Sequence, residues 1–543
     1  MRAPRLPRLL TLFVLTALVA CGGGERPEAA EVSGPPTPGG TATLGILTDF
    51  QGFNPISTSN ITAIDVIQQM LYTPIIRYDE ELTVQPALAT SWELEDTSVV
   101  FHLRTDLKWH DGQPVTAEDV KFSFDLAKNP ETASLIGSAY LSLVDRATIV
   151  DSATVRFHFS SPHAQALEDF WWSPVPKHLL AKIPPASMAQ ASFNNNPVGN
   201  GPFRFVSWQR NQQLTLEANP DYPKDLGGRP YLDRAIFRVI PEPTTMLTEL
   251  LNGSVDFIGY TLLPDQAAQI QNQRGVDLRH FPSREFTYIA WNNTRPQFSD
   301  PSVRRALAMA INRPQLIQAL MHGFAEPAVG MIPPWSPMYS EVPPIPFDPA
   351  QAKQLLAAAG WADANGDGIV EKNGQPLRFT LLLNATNGMH SDIATVVQSQ
   401  LKQVGVEARI QTAEFQSLLK QYRGRDYDAV ISNWTLDTFK VDPTPLFSCA
   451  EARKPGSANR TGFCDPAIDR LIEQGVRSTD PTAAKATWAE FTRQLQQRQP
   501  ITFLFWSEDL AGFGPRLQNV VTDARGKLVN IDRWWIPTAM QKR

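Results

Sequence analysis

Residues 427–443 read YDAVISNWTLDTFKVDP, and the fold turns on this stretch. Tyr427 to Asn433 is a short run rich in apolar and β-branched residues, which predicts a buried strand. Beyond it the chain changes to polar loop chemistry, with Trp434 and Asp437 placed just past the expected strand end. In open α/β sheets, ligands bind outside the carboxyl ends of strands. A ring and a carboxylate at such an end suit a ligand that carries an amine. The ring offers apolar area and a cation–π attraction of about 0.5–2 kcal/mol. The carboxylate can pair an ammonium that would be costly to bury alone. Asn433, at the last expected strand position, shares that edge. The same residues also read as a core tryptophan and a turn-forming aspartate.

The preceding residues supply the context. Leu377–Leu383, Ser391–Gln403, Val406–Gln411, Phe415–Tyr422 and Tyr427–Asn433 read strand, helix, strand, helix, strand, with Gly405 where a helix should end. This is an α/β unit. Asp-Pro pairs at Asp300-Pro301, Asp348-Pro349, Asp465-Pro466 and Asp480-Pro481 each precede an amphipathic run. An aspartate cap followed by proline at the first helical position predicts four helix starts. Strands are expected at Phe286–Trp291 and Ile501–Trp506. Nearer the N-terminus, strands are expected at Thr41–Leu47, Ser98–Leu103, Gln213–Ala218 and Arg234–Ile240, a hairpin at Thr148–Phe159 and a helix at Ala63–Leu71. Thr116 and Asp119 form a capping-box variant.

At 543 residues with 19% charged and 42% hydrophobic side chains, the composition is that of a globular protein of about two or three domains. The net charge of −6 offers no basic excess to displace counterions, so nucleic acid is not an expected partner. Arg2, Arg5 and Arg8 precede an apolar run, Leu9–Ala20, of signal-peptide length. Leu18-Val19-Ala20-Cys21 resembles the bacterial lipobox, which implies a signal peptide over 1–20 and lipid attachment at Cys21. Residues 21–40, rich in Gly, Pro, Glu and Ala, read as a flexible tether. No later segment approaches the roughly 18 apolar residues of a membrane span. Cys449 and Cys464 remain; in an exported chain such a pair forms a disulfide, the alternative being two buried thiols.

No GxxxxGK[ST], HExxH, GxSxG or CxxC motif occurs, and the eight histidines show no metal-ligand spacing, so no residue supports a catalytic assignment. Asp363, Asn365, Asp367 and Gly368 match positions 1, 3, 5 and 6 of a calcium loop, with the Ile369 carbonyl and Glu371 as further ligands. Gly374 stands where that loop carries a bidentate glutamate. The segment reads either as a structural calcium site or as a polar turn; no cofactor is otherwise required.

Four segments together resemble one family. They are Pro86–Asp125 (PALATSWELEDTSVVFHLRTDLKWHDGQPVTAEDVKFSFD), Asn196–Trp208 (NPVGNGPFRFVSW), Tyr288–Ala328 (YIAWNNTRPQFSDPSVRRALAMAINRPQLIQALMHGFAEPA) and Thr461–Ile472 (TGFCDPAIDRLI). In this order and spacing the chain is similar to extracellular solute-binding proteins of family 5, the peptide/nickel-type receptors of ABC importers. The resemblance implies an α/β, two-lobed periplasmic-binding-protein fold (type II) with a hinge and an extra subdomain. The first lobe maps to 41–55, 174–284 and 506–543, the inserted subdomain to 56–173 and the second lobe to 285–505.

In peptide-binding members, an aspartate three residues after a strand-end tryptophan pairs the peptide's α-amino group. Trp434 and Asp437 match that spacing, whereas Thr438–Pro443 is longer than the family's usual loop and contains Lys440. Phe50, Phe53 and Asn54, after the first strand, are expected along the cleft. The resemblance implies a monomeric, lipid-anchored extracytoplasmic receptor, not an enzyme, that delivers oligopeptides to ABC permease subunits. A nickel chelate, an oligosaccharide or an opine is the alternative ligand, and an exported hydrolase is the alternative class.

Overall fold

The structure, a computed structural model, describes residues 35–541 except 164, 260, 261 and 272. Cys21 and the expected signal peptide lie outside the described residues, as does most of the expected tether. Residues 37–40 are already fastened to the body: Gly39 N donates to Tyr231 O (2.8 Å) and Asp233 N to Gly40 O (2.9 Å).

One eleven-stranded sheet runs through the molecule. Thr41–Ile46 pairs in parallel with Arg234–Val239 and with Phe257–Ile258, and Arg234–Val239 continues into the antiparallel hairpin Gln213–Ala218 and Phe203–Gln209. At the other end, Arg378–Asn384 pairs in parallel with Glu407–Ala413 and Ala429–Thr435. Two long antiparallel strands, Asp277–Trp291 and Ile501–Phe513, join these halves. Only the apolar ends of this pair, Phe286–Trp291 and Ile501–Trp506, stand out in the sequence. Pro282-Ser283-Arg284-Glu285 and Ser507-Glu508-Asp509 break the pattern because the ladder bulges there, the register shifting between Pro282 and Phe286.

The expected inserted segment carries its own four-stranded antiparallel sheet, Ala89–Glu95, Ser98–Leu103, Thr154–Phe159 and Val144–Asp151 in spatial order. Its core is continuous with the first half of the large sheet: Phe101, Phe157 and Phe170 belong to one cluster with Leu44 and Phe237. The expected helix over Ala63–Leu71 is a helix at Ile61–Val66 followed by a π turn at Ile67–Leu71.

All four Asp-Pro devices start helices. Asp300, Asp348, Asp465 and Asp480 accept from the backbone N–H of Ser302, Gln351, Ala467 and Thr482, at the heads of Pro301–Met309, Pro349–Ala358, Pro466–Arg477 and Pro481–Arg498. The Asp119 carboxylate accepts from both Thr116 N and Oγ1, capping Ala117–Lys128. Cys449 and Cys464 are joined by a disulfide.

The family-like segments form joints between elements. In NPVGNGP, the N–H groups of Asn200 and Gly201 donate to Leu71 O, and Asn200 Oδ1 accepts from Thr73 N. A Cβ on Gly199 would lie 1.9 Å from Leu71 O, so only glycine permits this approach. His110, of KWHDGQP, donates from Nε2 to Gly201 O (3.1 Å). Asn292 Nδ2 donates to the carbonyls of Arg425 and Tyr427, tying the opening stretch to Tyr288–Ala328.

Candidate ligand-binding site

The strand within 427–443 runs from Ala429 to Thr435, two residues further than its composition predicts. Trp434 is therefore inside the ladder, opposite Phe286, and packs with the core that contains Tyr288, Tyr422 and Trp506. Only Asp437 lies beyond the strand. Successive side chains alternate across a sheet, and Asn433 and Thr435 face the other way from Trp434. The expected pairing of Trp434 with Asp437 around one ammonium is thus corrected: Trp434 does not line the cavity that holds Asp437.

That cavity, of about 270 Å³, lies between the expected lobes. Pro55, Ile64, Ile67, Leu135, Ile136 and Trp172 wall one side, and Arg284, Thr435, Leu436 and Asp437 the other. Asp437 is solvent-accessible and lines this cavity. Burial raises its carboxyl above the usual range, while the Arg284 guanidinium pulls it back. Arg284 sits on the strand bulge, a place where a ladder re-aims a side chain. The rings of Trp171 and Phe439 face its guanidinium at 5.9 and 5.8 Å. Among the described residues, no acceptor is hydrogen-bonded to that guanidinium.

A larger cavity of about 460 Å³ adjoins it, sharing Arg284 and Thr435. Asn433 lines this one with Glu285, His390, Glu508 and Asp509. Asn433 donates from Nδ2 to Glu285 Oε1 (2.6 Å) and accepts from His390 Nε2 (2.7 Å). Burial raises the Glu285 carboxyl, opposed by hydrogen bonds from Asn433 and Thr435. Burial also lowers the His390 imidazole.

Phe53 and Asn54 do not reach either cavity. Phe53 is fully buried against Phe50 and Trp208, and Asn54 Nδ2 donates to Asn194 Oδ1 (3.0 Å) while its Oδ1 accepts from Ile56 N. These are packing roles, so the cleft-lining expectation for Phe50, Phe53 and Asn54 is corrected. The chain reaches the cavity a little later, at Pro55, Thr58 and Ser59.

The loop after Asp437 is docked on the inserted segment. Tyr140 Oη donates to Asp437 O (3.0 Å), and Val441 N donates to Gln165 Oε1 (2.8 Å). The Phe439 ring stacks on Trp171 (4.9 Å) and meets Tyr78 and Trp335 edge-on. Lys440 Nζ donates to Asp169 Oδ1 (2.7 Å), and His163 Nε2 donates to Asp169 Oδ2 (2.9 Å). Asp169 is fully buried. Beside them, burial pushes the Glu168 carboxyl up to about 7, with the neighbouring Asp169 adding to the rise and Lys440 opposing it.

The calcium-like turn is held together by side-chain bonds to its own backbone. Asp363 accepts from the N–H groups of Gly366 and Gly368, Asn365 from Asp367 N, and Asp367 from Ile369 N, while Asn365 Nδ2 donates to Asp367 and Glu371. These side chains close the turn on its own backbone. Among the described residues, no three His, Cys, Asp or Glu side chains gather as a metal site would require.

Arg284, Tyr140 and the Ile64–Ile67 and Leu135–Ile136 walls were not legible as site residues. Only Arg284 left a trace, as a charge after Pro282 inside an otherwise strand-like run. The sequence profile of the bacterial extracellular solute-binding proteins, family 5 (middle region), matches residues 83–454. The chain belongs to that family. This family 5 protein is 30% identical to the oligopeptide-binding protein AppA of Bacillus subtilis, over 98% of this chain and 99% of AppA. The structure of AppA in complex with a nonapeptide superposes with a TM-score of 0.76 at 28% identity, covering 92% of this chain and all of AppA. The structure of Campylobacter jejuni NikZ in complex with Ni(L-His) has a TM-score of 0.75 at 23% identity, covering 91% and 99% of the two chains, and shows the same two-lobed fold. Among the described residues no helix is long and apolar enough to cross a membrane.

Proposed function

We propose that this family 5 protein is an extracytoplasmic receptor that captures oligopeptides by their free amino terminus and delivers them to an ABC permease. The observation that carries the reading is Asp437: an accessible carboxylate lining a cavity between the lobes, in partly desolvating surroundings where a ligand cation can pair with it. The similarity to AppA over nearly the full length of both chains supports a peptide as the ligand. The protein binds and releases without chemistry. It works as a monomer held at the membrane by a lipid on Cys21, so Cys21→Ser releases it into the soluble fraction.

Mass spectrometry of ligand freed from the purified protein tests the ligand class, with peptides as the expected result. Consistent recovery of metal chelates, sugars or opines, with calorimetry showing no heat on addition of peptides, would sink the reading. Asp437→Asn weakens peptide binding by more than about 2 kcal/mol, because the ligand's ammonium is then buried without its counter-charge. Unchanged affinity would remove Asp437 from the site.

A further inference from the structure

We infer that the cavity at Asp437 selects peptides whose first residue carries an apolar side chain, and that the residues after it pass into a chamber that does not discriminate among them. This rests on the peptide reading above and deepens it.

The argument starts from where the charges lie. The smaller cavity contains two charged side chains, Asp437 of the expected second lobe and Arg284 on the strand bulge at the boundary between the expected lobes. Opposite them stand Ile64, Ile67, Leu135, Ile136 and Trp172, with no carboxylate and no ammonium among the residues on that wall. An α-ammonium paired to Asp437 therefore leaves the first side chain against a wall that is mostly apolar and wholly uncharged, Thr58, Ser59, Gln68, Tyr140 and Ser173 being its polar members. A lysine or aspartate side chain placed there would lose its hydration and meet no counter-charge on that wall.

The volume adds a second constraint. A space of about 270 Å³ accommodates one large residue with its amino group, not a whole oligopeptide. The rest of the ligand must leave, and the larger space is next to this one, with Arg284 and Thr435 lining both. That chamber is roomier and edged by Asn387, His390, Asn433, Glu508 and Asp509. A chamber with mixed polar groups tolerates varied side chains, because their polar ends find partners or water. Arg284, without a hydrogen-bonded acceptor among the described residues, lines both cavities, and its donors suit a peptide carbonyl passing from one to the other.

The test is calorimetry of the full-length protein with Leu-Gly-Gly, Lys-Gly-Gly, Asp-Gly-Gly and Gly-Gly-Leu, and with N-acetyl-Leu-Gly-Gly. Leu-Gly-Gly is expected to bind about tenfold or more tighter than each of the other free tripeptides, the scale set by burying one leucine side chain. The acetylated peptide is expected to lose most of its affinity. If the four free tripeptides bind within about twofold of one another while acetylation abolishes binding, the selectivity is overturned and the amino-terminal reading stands. If acetylation changes nothing, or no tripeptide binds, the amino-terminal reading itself fails and the selectivity with it. Leu135→Asp, at a half-buried wall position, is expected to shift preference toward Lys-Gly-Gly. Because the peptide panel is read on the unaltered protein, the inference does not depend on that variant folding.

Discussion

Asp437 faces two opposed influences, burial that favours its neutral form and Arg284 that favours its charged form. An ammonium ligand needs the charged form. Affinity is therefore expected to fall as pH drops through the raised carboxyl pKa, and to fall again above about 8, where a peptide's α-amino group loses its proton. Calorimetry from pH 4 to 10 checks this; a flat profile would place the amine elsewhere. Glu168 supplies a second test. Its folded pKa of about 7 lies above the ordinary 4.5, so the folded protein holds a proton that the unfolded chain releases between those values. Stability is then highest below the ordinary value and declines as pH rises to about 7. Glu168→Gln is expected to flatten that decline and to gain about 1–3 kcal/mol at pH 8 in denaturant unfolding. At this scale the position of Asp437 past a strand end was legible, because strand and loop chemistry are local; its ligand role was implied only by the family resemblance. Phe53 misled because a position after a strand does not say which way a side chain turns. Arg284 was hidden because a bulge, made by two strands distant in sequence, aims it.

The loop Leu436–Asp442 is the element on which the site depends. Its backbone, its ring and its ammonium all dock on the inserted segment, and Phe439 joins the core of the opposite lobe. Removing one member of a buried ion pair strands the other, at about 3–5 kcal/mol. Lys440→Met is expected to lose that much in denaturant unfolding, and adding Asp169→Asn to recover more than half of it. Strictly additive losses would mean that the two do not interact in solution. The disulfide closes a neighbouring 15-residue stretch. Reducing it, or making Cys449→Ser with Cys464→Ser, is expected to lower stability by about 3 kcal/mol. Elements with local signals, above all the four Asp-Pro caps, were readable. The full extent of the two long strands was not, because their middles carry polar residues suited to a bulge and a cleft.

For the molecule as a whole, the segments that identify the family lie at joints: NPVGNGP against Leu71, and Asn292 against Tyr427. None of them supplies Asp437, Arg284 or the apolar wall. Fold could therefore be read from the chain while ligand preference could not: joints tolerate few solutions, and cavity walls many. The two halves of the large sheet are joined through the bulged pairing of Asp277–Trp291 with Ile501–Phe513, and the hinge that the resemblance implies is expected there. Small-angle X-ray scattering is expected to show a smaller radius of gyration with saturating peptide than without, and a larger ligand-free radius in Lys440→Met. Identical curves in all three samples would mean that the lobes do not move.

The docked loop also sets a clock. If the lobes part along this face to release a peptide, Phe439 must withdraw from Trp171 and Lys440 from Asp169. Ligands of different affinity would then share a floor on their residence time, since differences among related complexes appear mostly in the off-rate. At the membrane, the permease would have to prise that loop free, so unloading speed would reside in a contact that the cargo never touches.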